Sequence, residues 1–378
     1  MSDAPDARGP KEVSALQKHP CPECGGESVW NPAKQSLVCP YCGAIVPGEL
    51  KTDGGAIAEH DLAATLRSVP TEGRGWKTEK ISVKCQSCNA ISVFDPGRVA
   101  QRCDFCGSPS IVPYQETKDP ISPESLLPIK WAEPQVRDSL RAWYRTRWFA
   151  PTRLKNGALT DTLQGVYLPY WTFDAKAHSD WTAESGYYYY EDESYRDANG
   201  NLQTRKVQRT RWEPSAGNVD NFFDDELVCG SVGVNRELLR KIEPFPTTKE
   251  LVPYDAGYIR GWIVERYQLD LGLAAQRSEA LMDSEMQALC ARQVPGDTHR
   301  NLSVSTSYSD RTFKHVLLPI WLVAYTYGSR SFQVLVNGYT GAIAGQRPYS
   351  WIKITLFVIA VLAGLAIVTV IGLIANHS

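Results

Sequence analysis

Eight of the ten cysteines in this chain follow one repeated pattern. Cys21 and Cys24 form a C-x2-C pair, and fourteen residues later Cys39 and Cys42 form another. Cys85 with Cys88, and Cys103 with Cys106, reproduce both the pairs and the spacing. A C-x2-C turn aims two thiolates at one point, and a short hairpin brings a second turn opposite the first. Each quartet therefore spells a tetrahedral sulfur site of the kind that structural zinc occupies. Gly25, Gly43, Asn89 and Gly107 each follow the second cysteine of a turn. A positive φ is expected there, because it lets backbone N–H groups face the sulfurs. Between the turns, Ser28, Val29, Trp30, Asn31 and Pro32 match Ser92, Val93, Phe94, Asp95 and Pro96, so the second unit repeats the first sixty-four residues on.

Other thiol chemistries fit less well. Disulfides need an oxidising compartment, and the polar first twenty residues hold no apolar core of a signal peptide. A redox pair of the thioredoxin kind would be one C-x2-C beside a βαβ unit, not four in ribbon spacing. Four thiolates also leave a metal no open position for water or substrate, so two structural zinc ions are expected rather than catalytic ones. A ribbon of about thirty residues buries too little apolar surface to hold itself together. Binding of structural zinc, worth on the order of 10–16 kcal/mol, supplies what the small core lacks. Cys229 and Cys290 have no neighbouring histidine and read as small buried hydrophobes.

The elements that position these sites follow from composition and pattern. The chain has 378 residues, 43% of them hydrophobic and 22% charged, with a net charge of -2. That balance suits two or three globular domains. Residues 1–120 hold 13 Lys and Arg against 15 Asp and Glu, and two zinc–thiolate centres make this part more negative still. Nucleic-acid binding by counterion release calls for the opposite sign.

The fold class expected is α+β: two four-cysteine zinc ribbons, a β-rich body with an internal duplication, and one C-terminal transmembrane helix. Residues 1–18 read as a disordered tail, 19–46 as the first ribbon, 47–78 as a linker, 79–112 as the second ribbon and 113–350 as the body. The linker carries a short helix over 59–67 with Leu62, Ala63 and Leu66 on one face, and its glycines suggest that the ribbons move independently.

In the body, Glu133-Pro134 opens a helix to about Trp148 with Val136, Leu140, Trp143 and Tyr144 as its apolar face. Arg137, Arg141, Arg145 and Arg147 lie around its other sides and read as a solvated surface. Residues 181–191 and 202–212 flank Asn199-Gly200, a strong hairpin signal. Acidic Glu191, Asp192 and Glu193 on one arm answer Arg205, Lys206, Arg209 and Arg211 on the other. Residues 235–241 make a short helix and 269–293 a long one, with Leu273, Ala280, Leu281, Ala288 and Leu289 at helical spacing. Strands resume over 302–343, with turns at Gly328-Ser329 and Asn337-Gly338. The segment 316–321 (VLLPIW) echoes 166–171 (VYLPYW), which suggests two related β-rich halves.

Residues 354–375 are 22 residues without a charge, long enough as a helix to span about 33 Å. Arg347 and Lys353, with Tyr349 and Trp351 at interface depth, flank its N-terminal side and place the large domain in the cytoplasm. Only three residues follow, which reads as a tail anchor in the inner membrane with a single pass. There is no P-loop, no H-E-x-x-H, no G-x-S-x-G and no dinucleotide fingerprint.

The paired ribbons, the segments 166–173 (VYLPYWTF), 318–321 (LPIW), 336–341 (VNGYTG) and 347–354 (RPYSWIKI), and the terminal span resemble the bacterial YdjG-type family of membrane-anchored double-zinc-ribbon proteins. Such proteins often carry a label that relates them to the primosomal replication helicase. That label implies an ATPase motor which this chain lacks. The resemblance implies association with phage-shock-type and SPFH-type membrane proteins, and its site residues transfer only at the eight cysteines. The expected function is therefore a non-enzymatic, tail-anchored adaptor that recruits protein partners to the membrane. A membrane-tethered nucleic-acid binder is the alternative.

Overall fold

The computed structural model describes residues 20–46, 57, 59–68, 81–94, 102–103, 105–106, 108, 110–114, 121–151, 163–196, 201–327 and 330–376. The tail 1–18, most of the linker, Asp95, Pro96, Gly107 and the turns at Asn199-Gly200 and Gly328-Ser329 lie outside the described residues.

The first ribbon is a three-stranded antiparallel sheet of β1 (Val29–Asn31), β2 (Ser36–Val38) and β3 (Ile45–Val46). It packs on the body: the Trp30 ring meets Tyr258 at 4.7 Å, and Gln35 donates to the Ile129 carbonyl at 3.1 Å. The linker holds β4 (His60–Asp61) and α1 (Leu62–Ser68), with Leu62 buried and Leu66 42% exposed. The second ribbon contributes β5 (Ile81–Cys85), β6 (Ile91–Phe94) and β7 (Ile111–Pro113).

The body follows with β8 (Ser125–Leu126), α2 (Glu133–Arg145), β9 (Leu163–Arg196), β10 (Leu202–Cys229), α3 (Arg236–Ile242), α4 (Thr247–Glu250), β11 (Val252–Pro253), β12 (Ile263–Glu265), α5 (Leu271–Gln293), β13 (Thr298–Tyr327), β14 (Arg330–Asn337) and β15 (Ile343–Gly345). The last element is α6 (Trp351–Asn376). Three strands dominate: β9 has 34 residues, β10 has 28 and β13 has 30. At about 3.3 Å per residue β9 alone is about 110 Å long.

β13 and β10 both pair antiparallel with β9. Near the root, β9 is buried on both faces from Val166 to Phe173, which accounts for its unbroken apolar run. Further out the burial alternates, and Ala175, Ala177, Trp181 and Ala183 face α5. Charges pair across the outer hairpin as their order in sequence suggests: Arg205 lies 2.7 Å from Glu193 and Arg209 lies 3.6 Å from Glu191.

The two echoing segments are partners in space. Leu168 faces Leu318 across β9 and β13, so 166–171 and 316–321 cross at their centres. Each belongs to a half built as short strand, helix, long strand and return strand: β8, α2, β9, β10 and then β12, α5, β13, β14. The short strand of each half pairs parallel with the long strand of the other, Leu126 with Leu317 and Val264 with Tyr167.

The same hydrogen bonds recur at equivalent places. Gly230 N–H donates to the Pro169 carbonyl at 2.8 Å, and Gly338 N–H donates to the Pro319 carbonyl at 2.9 Å. The Trp171 indole donates to the Leu269 carbonyl at 3.0 Å, and the Trp321 indole donates to the Trp131 carbonyl at 2.9 Å. A Cβ at Gly338 would sit 2.9 Å from the Pro319 oxygen, so only glycine permits this approach. The matched strands and hydrogen bonds form a pseudo-two-fold arrangement with exchanged strands.

Two expectations need correction. The ribbons do not stand apart from the body: β6 of the second ribbon pairs antiparallel with β12, Val93 opposite Val264, so its strands extend the central sheet. In α5 the buried stripe is Ala274, Ser278, Met282, Met286 and Cys290, every fourth residue, while Leu273 and Leu281 are 50% and 38% exposed. Apolar count misplaced this face. The wide ribbon beneath α5 accepts small and flexible side chains, including a serine and a cysteine, in place of leucines.

In α2, Val136, Leu140 and Tyr144 are buried as the sequence suggests, and Arg137 and Arg141 pair with Glu133 and Asp138. The residues 351–368 of α6 form an 18-residue window of mean hydropathy 2.5, none of it buried by the rest of the chain. A core helix would be covered, so this one is apolar and long enough to cross a membrane without a protein partner. Its first turns are tied to the body by Ser350 N–H donating to the Phe149 carbonyl at 2.8 Å and Lys353 Nζ to the Ala150 carbonyl at 2.7 Å.

Candidate metal centres

The eight cysteines gather into two groups in which all four sulfurs lie within 4.8 Å of one another. Cys21, Cys24, Cys39 and Cys42 form one, and Cys85, Cys88, Cys103 and Cys106 form the other. In the first, the two turns flank the β1–β2 hairpin. Four backbone bonds shape the turns of both groups alike: Cys21, Cys39, Cys85 and Cys103 N–H donate to the carbonyls of Gly26, Ala44, Ala90 and Ser108 at 2.7–2.9 Å. Gly25, Gly43 and Asn89 have φ of 71°, 75° and 61°, the left-handed conformation that closes each turn. Ser87 and Phe105 N–H groups donate to the Cys85 and Cys103 sulfurs, each at 3.4 Å.

The distances fit a metal and exclude a disulfide. Cys21 to Cys42 and Cys24 to Cys39 are 3.4 Å, and Cys85 to Cys106 and Cys88 to Cys103 are 3.6 Å. Four sulfurs about 2.3 Å from a tetrahedral ion lie about 3.8 Å apart, whereas a disulfide needs about 2.05 Å. Cys229 and Cys290 lie outside both clusters.

Four thiols at one point do not ionise independently. In the second cluster the Cys88 thiol bond and nearby backbone N–H groups pull Cys103 down to about 5, while that bond and burial hold Cys88 far above its ordinary value. In the first, backbone donation from Cys42 pulls Cys39 down to about 7, and Cys42 is held up to about 12. One thiolate forms easily and then opposes the others. A bound dication removes that opposition, which is why such quartets take up metal with release of protons.

The clusters differ in their surroundings. In the first, Cys21 and Cys39 are buried while Cys24 and Cys42 are exposed. The second sits deeper. Phe105, between its last two cysteines, is fully buried in the core cluster that also holds Leu168, Leu238 and Leu318, and Gln333 on β14 donates to the Phe105 and Gly233 carbonyls at 2.9 and 3.1 Å. Sequence reading missed these supports, because Gln333 is 228 residues from Phe105.

A third group, Asp174, Asp224 and Asp225, also has ligand spacing. There the Lys314 ammonium lies 2.8 Å from Asp225 and supplies the cation itself. Of the histidines, His315 is buried in a ring cluster, stacked at 4.8 Å on Trp171, with Nδ1 2.9 Å from the Ile121 carbonyl. Among the described residues, no histidine joins a cysteine cluster.

The chain is similar to the uncharacterized protein YdjG of Bacillus subtilis (strain 168), 22% identical over 246 residues that cover 65% of this chain and 69% of that one. No family model matches the chain. No solved structure matches it either.

Proposed function

We propose that this chain is a non-enzymatic, membrane-anchored zinc-ribbon adaptor that recruits protein partners to the cytoplasmic face of a bacterial membrane. The observation that carries this reading is the closure of both sulfur clusters: four thiols per site leave a metal nothing to offer a substrate. Zinc suits an all-thiolate tetrahedral site that does no redox work. The ions would then hold two rigid surfaces on one body, and α6 would fix that body at a bilayer. Arg347 and Lys353 beside the span favour the cytoplasmic side, where thiols also stay reduced. The resemblance to the YdjG-type family points to phage-shock-type and SPFH-type membrane proteins as partners.

Nucleic-acid binding has less support. Two of the four arginines in and just after α2 that would favour it, Arg137 and Arg141, are each paired with an acidic neighbour on the same helix, which weakens the basic surface that counterion release requires. Affinity capture of the full-length protein from gently solubilised membranes, beside C21S/C24S and C85S/C88S variants, tests both readings. Protein partners recovered with the wild type and lost with either variant are expected. Recovery of nucleic acid alone, lost in the variants, would replace the adaptor reading.

A further inference from the structure

Where the body meets α6 there is a cavity of about 1130 Å³ that the metal centres do not use. Parts of the chain that are distant in sequence form it: the end of α2 and the residues just after it, the end of α3, β14, and the run from β15 into α6. Arg147, Lys241 and Arg347 bring three cations to its wall, and among the described residues no carboxylate lines it. In a chain of net charge -2 this is a local excess of one sign. The remaining wall is largely aromatic, with Trp148 76% exposed and Tyr349 56% exposed.

Two of the cations are braced by rings. The Arg147 guanidinium lies 4.5 Å from the Trp143 ring centre, and Arg347 lies 5.5 Å from that of Tyr349. The cavity also continues along the span, because Phe357, six residues into α6, forms part of its wall. Six residues of helix advance about 9 Å, the distance from a membrane surface to the first acyl carbons. Phe149, whose ring meets Phe357 edge-on at 5.5 Å, joins that apolar end to the body. Cations at the water end, aromatic side chains at interface depth and phenylalanines at the acyl end match one molecule part for part.

We propose that this cavity binds an anionic glycerophospholipid from the leaflet that α6 enters. Arg147, Lys241 and Arg347 face its phosphate, and Trp148, Tyr349 and Phe357 lie against its glycerol and first acyl carbons. This rests on α6 being a membrane span.

The test uses the full chain inserted in vesicles of phosphatidylcholine and phosphatidylglycerol. Resistance to alkaline extraction reports insertion, and native mass spectrometry after mild detergent release counts the retained lipid. Selective retention of phosphatidylglycerol is expected, falling about fivefold for each cation removed in the series R147Q, R147Q/K241Q and R147Q/K241Q/R347Q. R147K/R347K, which keeps the charge, should restore it with insertion unchanged in every variant. An inserted wild type that retains both lipids equally overturns the cavity assignment and leaves the anchor intact. Loss of alkaline resistance in the wild type overturns both. Displacement of the lipid by glycerol phosphate at its own concentration would make the ligand a soluble phosphate and refute the lipid source.

Discussion

The second metal centre is expected to hold the body together, and C88S/C103S tests this against C24S/C39S. A metal in the second cluster would fix Phe105, which is fully buried, the Gln333 bond to its carbonyl at 2.9 Å, and the two β6–β12 residue pairs. Losing the burial of a phenylalanine costs about 4 kcal/mol and the three other links about 1 kcal/mol each, so the body should lose about 7 kcal/mol. That is of the order of a whole domain's stability. The first ribbon meets the body through side chains such as Trp30 and Gln35 without sharing its sheet, so C24S/C39S should leave the body folded. Urea unfolding of the full chain in detergent, read by circular dichroism with metal content measured alongside, provides the assay. Each double variant should lose one metal ion per chain, and only C88S/C103S should bring the main transition to much lower urea. Equal midpoints for C88S/C103S and the wild type would refute the role given to Phe105 and the shared sheet.

Matched changes should expose the pseudo-two-fold: Trp171→Phe and Trp321→Phe each leave one carbonyl, buried at Leu269 and half-buried at Trp131, without its donor, and each should cost about 1–3 kcal/mol by urea midpoint. Costs differing by much more than that range would make the two sites unlike. Burial lowers the His315 pKa to about 4, so folding keeps this imidazole neutral while the unfolded chain protonates it near its ordinary value of about 6.5. The stability this contributes is complete above about pH 6.5 and is lost as pH falls to about 4, amounting to about 3 kcal/mol. His315→Phe should flatten that part of the stability–pH profile. Deleting residues 351–376 should move the chain from the alkaline-resistant membrane fraction to the supernatant, and persistence in the membrane would show that another surface anchors it.

What the sequence by itself determined is local chemistry. Two C-x2-C turns fourteen residues apart bring four sulfurs together whatever surrounds them, because the turn and hairpin geometry is contained within the repeat. The uncharged stretch at 354–375 and the buried face of α2 are likewise legible, since hydrocarbon thickness and helical period act on neighbouring residues. Only the tertiary structure decided that 166–171 lies across from 316–321, that the second ribbon extends the central sheet, and that Arg147, Lys241 and Arg347 share one opening. It also decided which face of α5 is buried, because the ribbon under that helix selects for fit while the count of leucines does not record it. Pairings between strands 150 residues apart depend on the closing of the whole chain. No spacing within one segment encodes them.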